Sequence, residues 1–118
     1  MQKRVLVVDD EVATLKAYKK LLERPGIEVH TAETIEDVAR SLKRQKYHVV
    51  ISDLRLTGTS GLEGLAILRF VKECDSETKV ILITAYGNSD VREQAIQLGA
   101  FRYLEKPVLA QELRAAID

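Results

Sequence analysis

The strongest limit on how this chain can fold is its alternation of short apolar runs with longer amphipathic stretches. VLVV (5–8), IEVHT (27–31), VVIS (49–52), VILIT (80–84) and FRYLE (101–105) have strand length rather than helix length, and each ends in Gly, Pro or a polar cluster. Between them, apolar residues recur at helical spacing. Val12, Leu15, Tyr18 or Lys19, and Leu22 precede Pro25 and Gly26; Ile35, Val38 and Leu42 follow Thr34; Leu62, Leu65, Leu68 and Val71 follow Gly61; Val91, Ala95 and Leu98 precede Gly99. Proline breaks a helix, glycine commonly closes one, and Thr34 with Asp37 three residues on reads as a capped start. The segment after Pro107 completes the set as a last helix.

Five strands and five helices in strict alternation predict one α/β domain over residues 1–118, with a single parallel sheet covered by helices on both faces. A chain of 118 residues is long enough to bury roughly two-thirds of its unfolded surface around one core. Runs one, three and four are continuously apolar, as central parallel strands are, whereas run two alternates and run five carries Arg102. Runs two and five therefore belong at the edges. The doubly wound order 2-1-3-4-5 meets this requirement, and it puts ligands at the carboxyl ends of the strands, between strands one and three.

The unusual residues fall at that same end. The stretch VLVVDDE passes directly from a buried strand to Asp9, Asp10 and Glu11; Asp53 follows strand three, Thr84 ends strand four, and Lys106 with Pro107 follows strand five. Neighbouring anions repel and lose hydration when buried, so their placement calls for a positive partner. Lys plus Arg total 18 and Asp plus Glu total 18, a net formal charge of zero, so no overall basic field recruits nucleic acid or an anionic membrane. Three carboxylates converging with one ammonium and one hydroxyl suit a hard divalent cation, Mg²⁺ above all, since it binds through few carboxylates and retains waters. Cys74 is the single cysteine and has no partner for a disulfide or a metal, which suits a reducing compartment. No apolar run approaches the roughly 20 residues of a membrane span, and MQKRVLVV lacks the features of a signal peptide, so a soluble, cytoplasmic protein is expected.

VDDE after strand one, SDL after strand three, ITAY after strand four and YLEKP after strand five together resemble the receiver domain of bacterial two-component response regulators. The resemblance spans nearly the whole chain and implies a flavodoxin-like, doubly wound (βα)5 fold. It also implies that Asp53 is the phosphoacceptor, that Asp9 and Asp10 are the Mg²⁺-holding pair with Asp53, that Thr84 is the switch hydroxyl and that Lys106 pairs with the phosphate. By the same resemblance Tyr103 is the switch aromatic, turning inward beneath the fourth helix when Thr84 moves, and the Lys106–Pro107 peptide is cis. The partners it implies are a sensor histidine kinase or phosphotransfer protein and an output domain or effector, with a homodimer through the fourth helix, fifth strand and fifth helix. No direct contact with nucleic acid or membrane is expected of this domain.

The chemistry is coherent on its own terms. An Asp53 carboxylate can attack a phosphoryl group while Mg²⁺ and Lys106 spread the charge of an in-line transition state. A third metal contact is expected from the backbone carbonyl of Arg55. Thr57 stands where the family commonly has proline, so the loop LRLTGTSG is expected to be more mobile, and Arg55 and Tyr86 stand where bulk can obstruct an attacking water. Taken singly, each feature has a plainer reading: a dipole-favoured helix start for Asp9 and Asp10, a loop residue for Asp53, a strand end for Thr84, a solvated charge for Lys106, edge packing for Tyr103. His30 and His48 read as structural, and RSLKRQK as a solvated helix end. Three other functions fit these residues less well. A phosphorylation-independent interaction module of the same fold should lack one of the acidic or lysine positions, and none is missing. A Mg²⁺ phosphohydrolase of the haloacid-dehalogenase type needs a second Asp where Arg55 stands, and an FMN carrier would have its phosphate repelled by the acidic cluster. The closing AQELRAAID leaves open a longer protein with an effector domain beyond residue 118, and the DLR and Gly-Leu pattern leans towards a transcriptional output.

Overall fold

The computed structural model describes residues 2–53, 62–85 and 89–118. Strand and helix alternate as β1 (Lys3–Val8), α1 (Val12–Leu22), β2 (Ile27–Ala32), α2 (Ile35–Arg44), β3 (Val49–Asp53), α3 (Leu62–Cys74), β4 (Lys79–Thr84), α4 (Ser89–Gln97), β5 (Arg102–Glu105) and α5 (Ala110–Ile117). The five strands are parallel in the order β2-β1-β3-β4-β5, which is the flavodoxin-like arrangement the apolar pattern predicts. Asp53 is the last residue of β3 rather than the first after it, and His48 sits just ahead of that strand.

Side-chain alternation sorts the sheet into two cores. Leu6, Val8, Val50, Val80 and Leu82 face one side with Val38, Leu65, Leu68 and Val71; Val5, Val7, Ile51, Ile81 and Ile83 face the other with Leu15, Leu22 and Leu113. The three central strands are buried on both faces, so their sequences are continuously apolar. The edge strands β2 and β5 are only partly covered, and they are the two that carry polar residues. Leu82 is fully buried; truncating such a residue to Ala costs about 2–5 kcal/mol through lost burial and the cavity left behind.

The helix ends follow local chemistry. Thr34 Oγ1 accepts the Asp37 N–H at 3.1 Å, and the Asp37 carboxylate accepts the Glu33 N–H and pairs with Arg40. These donors, the Glu33 N–H first, hold Asp37 below its ordinary pKa. Gly26 (φ +89°) turns the chain into β2, and Gly99 (φ +97°) closes α4; both are left-handed conformations that a Cβ disfavours. Val12 and Ile35, which helical spacing assigns to apolar faces, are the first residues of α1 and α2 and are instead 49 % and 38 % exposed. Among the described residues no helix is long and apolar enough to cross a membrane.

Candidate functional site

A parallel sheet brings all its carboxyl ends to one edge, so residues far apart in sequence meet there. Asp9 follows β1 and extends its pairing, its N–H donating to the Ala32 carbonyl at 3.1 Å. Register pairs Asp53 with Ile83 and Thr84 with Glu105, so β3, β4 and β5 all end at this edge. Lys106 follows at once; its N–H donates to the Thr84 carbonyl at 2.7 Å, and its peptide to Pro107 is cis, as the motif implies.

Lys106 Nζ donates to Asp53 Oδ2 at 2.6 Å. The carboxylate is almost wholly buried and the lysine about a quarter exposed, so this is a charge-assisted bond largely shielded from water. Asp9 is as deeply buried as Asp53. Its Oδ1 accepts the Glu11 N–H at 2.8 Å, while its Oδ2 is buried with no hydrogen-bond partner. Burial pushes the Asp9 pKa up to about 6; the Asp53 and Asp10 carboxylates push the same way, and the Glu11 N–H opposes them. Asp10, beside it, is exposed. Thr84 is buried at the end of β4.

Whether these residues suit a metal turns on the unpaired oxygen. Among the described residues no three carboxylate, imidazole or thiol groups stand close enough to enclose an ion by themselves. Mg²⁺ does not require that, since it keeps several waters and binds through one or two carboxylates. A buried, unpartnered Asp9 Oδ2 next to the Asp53 carboxylate is an uncompensated negative charge of the kind a small hard cation neutralises. The donor set fits. The Arg55 carbonyl, expected as a third contact, lies outside the described residues, as do Thr57, Gly58, Gly61 and Tyr86.

The Tyr103 ring packs against the core that contains Leu82 and Ala95, and its hydroxyl is buried without a hydrogen-bond partner. Two features escaped the sequence reading. The Glu11 N–H that orients Asp9 is a backbone group, invisible in side-chain chemistry. Ser52, adjacent to Asp53, is fully buried with an unpartnered hydroxyl, and its only signal was a polar residue inside an apolar run. His30 and His48 are held in hydrogen bonds, His48 Nδ1 accepting the Arg4 N–H at 3.0 Å.

The chain resembles known proteins over nearly its whole length. The family model of the response regulator receiver domain matches residues 5–118. The acid tolerance regulatory protein ActR of Rhizobium meliloti is 37% identical over 116 residues, covering 98% of this chain and 58% of the relative, so the chain spans little more than half of that protein. Among solved structures, a CheY-like receiver domain protein from Methanospirillum hungatei superposes with a TM-score of 0.88 at 28% identity, over 99% of this chain and 91% of that one. A response regulator from Burkholderia pseudomallei, solved with a phosphorylated aspartic acid, a calcium ion and citrate, gives a TM-score of 0.86 at 26% identity, over 99% of this chain and 67% of that one. With its strand order and the acid–lysine edge of its sheet, the chain belongs to the response regulator receiver domain family.

Proposed function

We propose that this domain takes a phosphoryl group onto Asp53 from a histidine kinase or phosphotransfer protein and thereby changes the surface it offers to an output domain or effector. The observation that carries the reading is the Asp53–Lys106 pair at 2.6 Å beside the unpartnered Asp9 oxygen. A carboxylate oxygen of Asp53 attacks phosphorus, the P–N bond to the donor imidazole breaks, and the imidazole leaves with the bonding pair and takes up a proton. Lys106 holds Asp53 in place beforehand and supplies a positive charge for the phosphoryl oxygens afterwards. Asp9 and Asp10, with Asp53 and the Arg55 carbonyl, would hold Mg²⁺. When bound, that ion offsets the charge of the carboxylates and of the incoming phosphoryl oxygens.

In this reading the Thr84 hydroxyl, buried at the end of β4, senses the new group, and Tyr103 on the neighbouring strand β5 follows it. The domain acts as a signalling protein rather than a free-standing enzyme, its chemistry confined to its own aspartate. The similarity to ActR, an acid tolerance regulatory protein, supports a regulatory output, for which a transcriptional effector and a homodimer through α4, β5 and α5 are our readings. The test is intact mass after incubation with a small acyl phosphate and Mg²⁺. Wild type should gain one phosphoryl group and Asp53→Ala none; equal modification of the two would reject Asp53 as the acceptor.

A further inference from the structure

A second polar cluster joins the edge strand β2 to the end of α2 and the entry to β3. His30 Nε2 lies 3.2 Å from Glu28 Oε2 on the same strand. Its Nδ1 lies 2.6 Å from the Tyr47 hydroxyl and 2.8 Å from Gln45 Nε2, and that Nε2 is 3.1 Å from the same hydroxyl. Tyr47 is buried, and its backbone carbonyl accepts the Thr78 hydroxyl at 2.9 Å. Gln45 caps α2, its backbone N–H donating to the Ser41 carbonyl. Of the charged groups, Glu28 contacts His30 directly and Arg4 from β1 contacts Glu28, while Lys43 and Arg44 lie in the last turn of α2 just before Gln45, Lys46 just after it, and His48 next to Tyr47 at the entry to β3. Arg4 donates to Glu28 Oε2 at 2.9 Å and to the Lys46 carbonyl at 3.0 Å. The Arg4 guanidinium holds Glu28 below the usual carboxylate range, so Glu28 stays ionised while a histidine titrates.

These contacts cannot all be kept in both charge states of His30. An ionised carboxylate only accepts, so in the neutral imidazole the proton sits on Nε2, facing Glu28, and Nδ1 is an acceptor. Tyr47 then donates to Nδ1, and the Gln45 amide donates to the Tyr47 oxygen; the chain of donors runs from Gln45 to Tyr47 to His30 to Glu28. A proton taken from solvent onto Nδ1 makes that nitrogen a donor facing two other donors. The 2.8 Å contact between Nδ1 and Gln45 Nε2 is then donor against donor, and it is relieved when the upper half of the chain reverses: Nδ1–H donates to the Tyr47 oxygen, Tyr47 donates to Gln45, and the Gln45 amide turns over to offer its carbonyl oxygen.

We propose that His30 is a proton-operated latch whose charging reverses the Tyr47–Gln45 hydrogen-bond chain and changes how the end of α2 is fastened to the sheet. The device is independent of phosphorylation at Asp53. It makes the joint between α2 and β3 respond to pH with no change in backbone fold.

The test is an NMR titration of the intact domain between about pH 5 and 8, the range in which an imidazole changes charge. Nitrogen shifts of the His30 ring should show the proton on Nε2 at the alkaline end. The Gln45 side-chain amide signals, identified by their loss in Gln45→Ala, should move with the same midpoint as the His30 ring. In Tyr47→Phe, which keeps the buried ring and removes only the hydroxyl, the Gln45 signals should no longer follow His30. A neutral ring protonated on Nδ1, a His30 that keeps one charge state across this range, a Gln45 amide unmoved while His30 titrates, or a Gln45 response retained in Tyr47→Phe would each overturn the latch.

Discussion

Replacing Asp9 with Asn tests whether the acidic edge is a strained arrangement held for a ligand. In the folded chain the Asp9 pKa stands at about 6 against an ordinary 3.8, so the native state binds this proton more tightly than the unfolded chain does. Ionised Asp9 therefore costs stability: nothing below the unfolded value, increasingly through the window between the two, and fully above about 6. At about 1.4 kcal/mol per unit, a shift of roughly two units amounts to ~3 kcal/mol near pH 7.5 and to about half of that at pH 5. Asparagine keeps an oxygen for the Glu11 N–H but loses the charge that strengthens that bond, giving back about 1 kcal/mol. The net gain is about 1–3 kcal/mol, or about 4–12 °C in melting temperature for a domain of this size. Thermal melts of wild type and Asp9→Asn in chelator, at pH 7.5 and pH 5, measure it directly. The variant should melt higher, with the gap narrowing on acidification as wild-type Asp9 takes up its proton. Equal melting temperatures at pH 7.5, or a gap that does not depend on pH, would refute the claim that a desolvated carboxylate burdens this edge.

Three further outcomes follow from the same geometry. Mg²⁺ should raise the melting temperature of wild type, by about 2.7 kcal/mol of stabilisation at a hundred times its dissociation constant, and Asp10→Ala should need far more Mg²⁺ for the same shift; fluorimetric melts across a Mg²⁺ series decide this. Lys106→Met should leave Asp53 buried without its 2.6 Å partner, slowing phosphorylation by acyl phosphate at least tenfold while Mg²⁺ still stabilises the fold, as intact mass against time will show. On phosphorylation, amide-exchange changes should concentrate in residues 89–99 and 101–107 and be blunted in Thr84→Ala; a charge-assisted hydrogen bond of about 1.5–3 kcal/mol formed only in the active state shifts a two-state population tenfold or more. Equal responses in wild type and Thr84→Ala would remove Thr84 from the signalling route.

The strand order was legible because burial on two faces and burial on one leave different marks: VLVV, VVIS and VILIT read as central strands, and IEVHT and FRYLE as edges. The candidate site was legible for a related reason. In a parallel sheet every carboxyl end reaches the same edge, so knowing where each strand stops is enough to bring Asp9, Asp53, Thr84 and Lys106 together. Tertiary structure alone decided which of these groups are satisfied. Nothing in the letters distinguishes Asp9, buried with an unpartnered oxygen, from Asp10, exposed beside it, nor shows that the Tyr103 hydroxyl is buried without a partner. Nor does spacing disclose that His30, Gln45 and Tyr47 share one hydrogen-bond chain. Periodicity reports which side of an element meets the core, because burial of apolar area is additive and non-directional. Hydrogen bonds and ion pairs depend on distances of a few tenths of an ångström between atoms on different elements, and only the folded packing sets those distances.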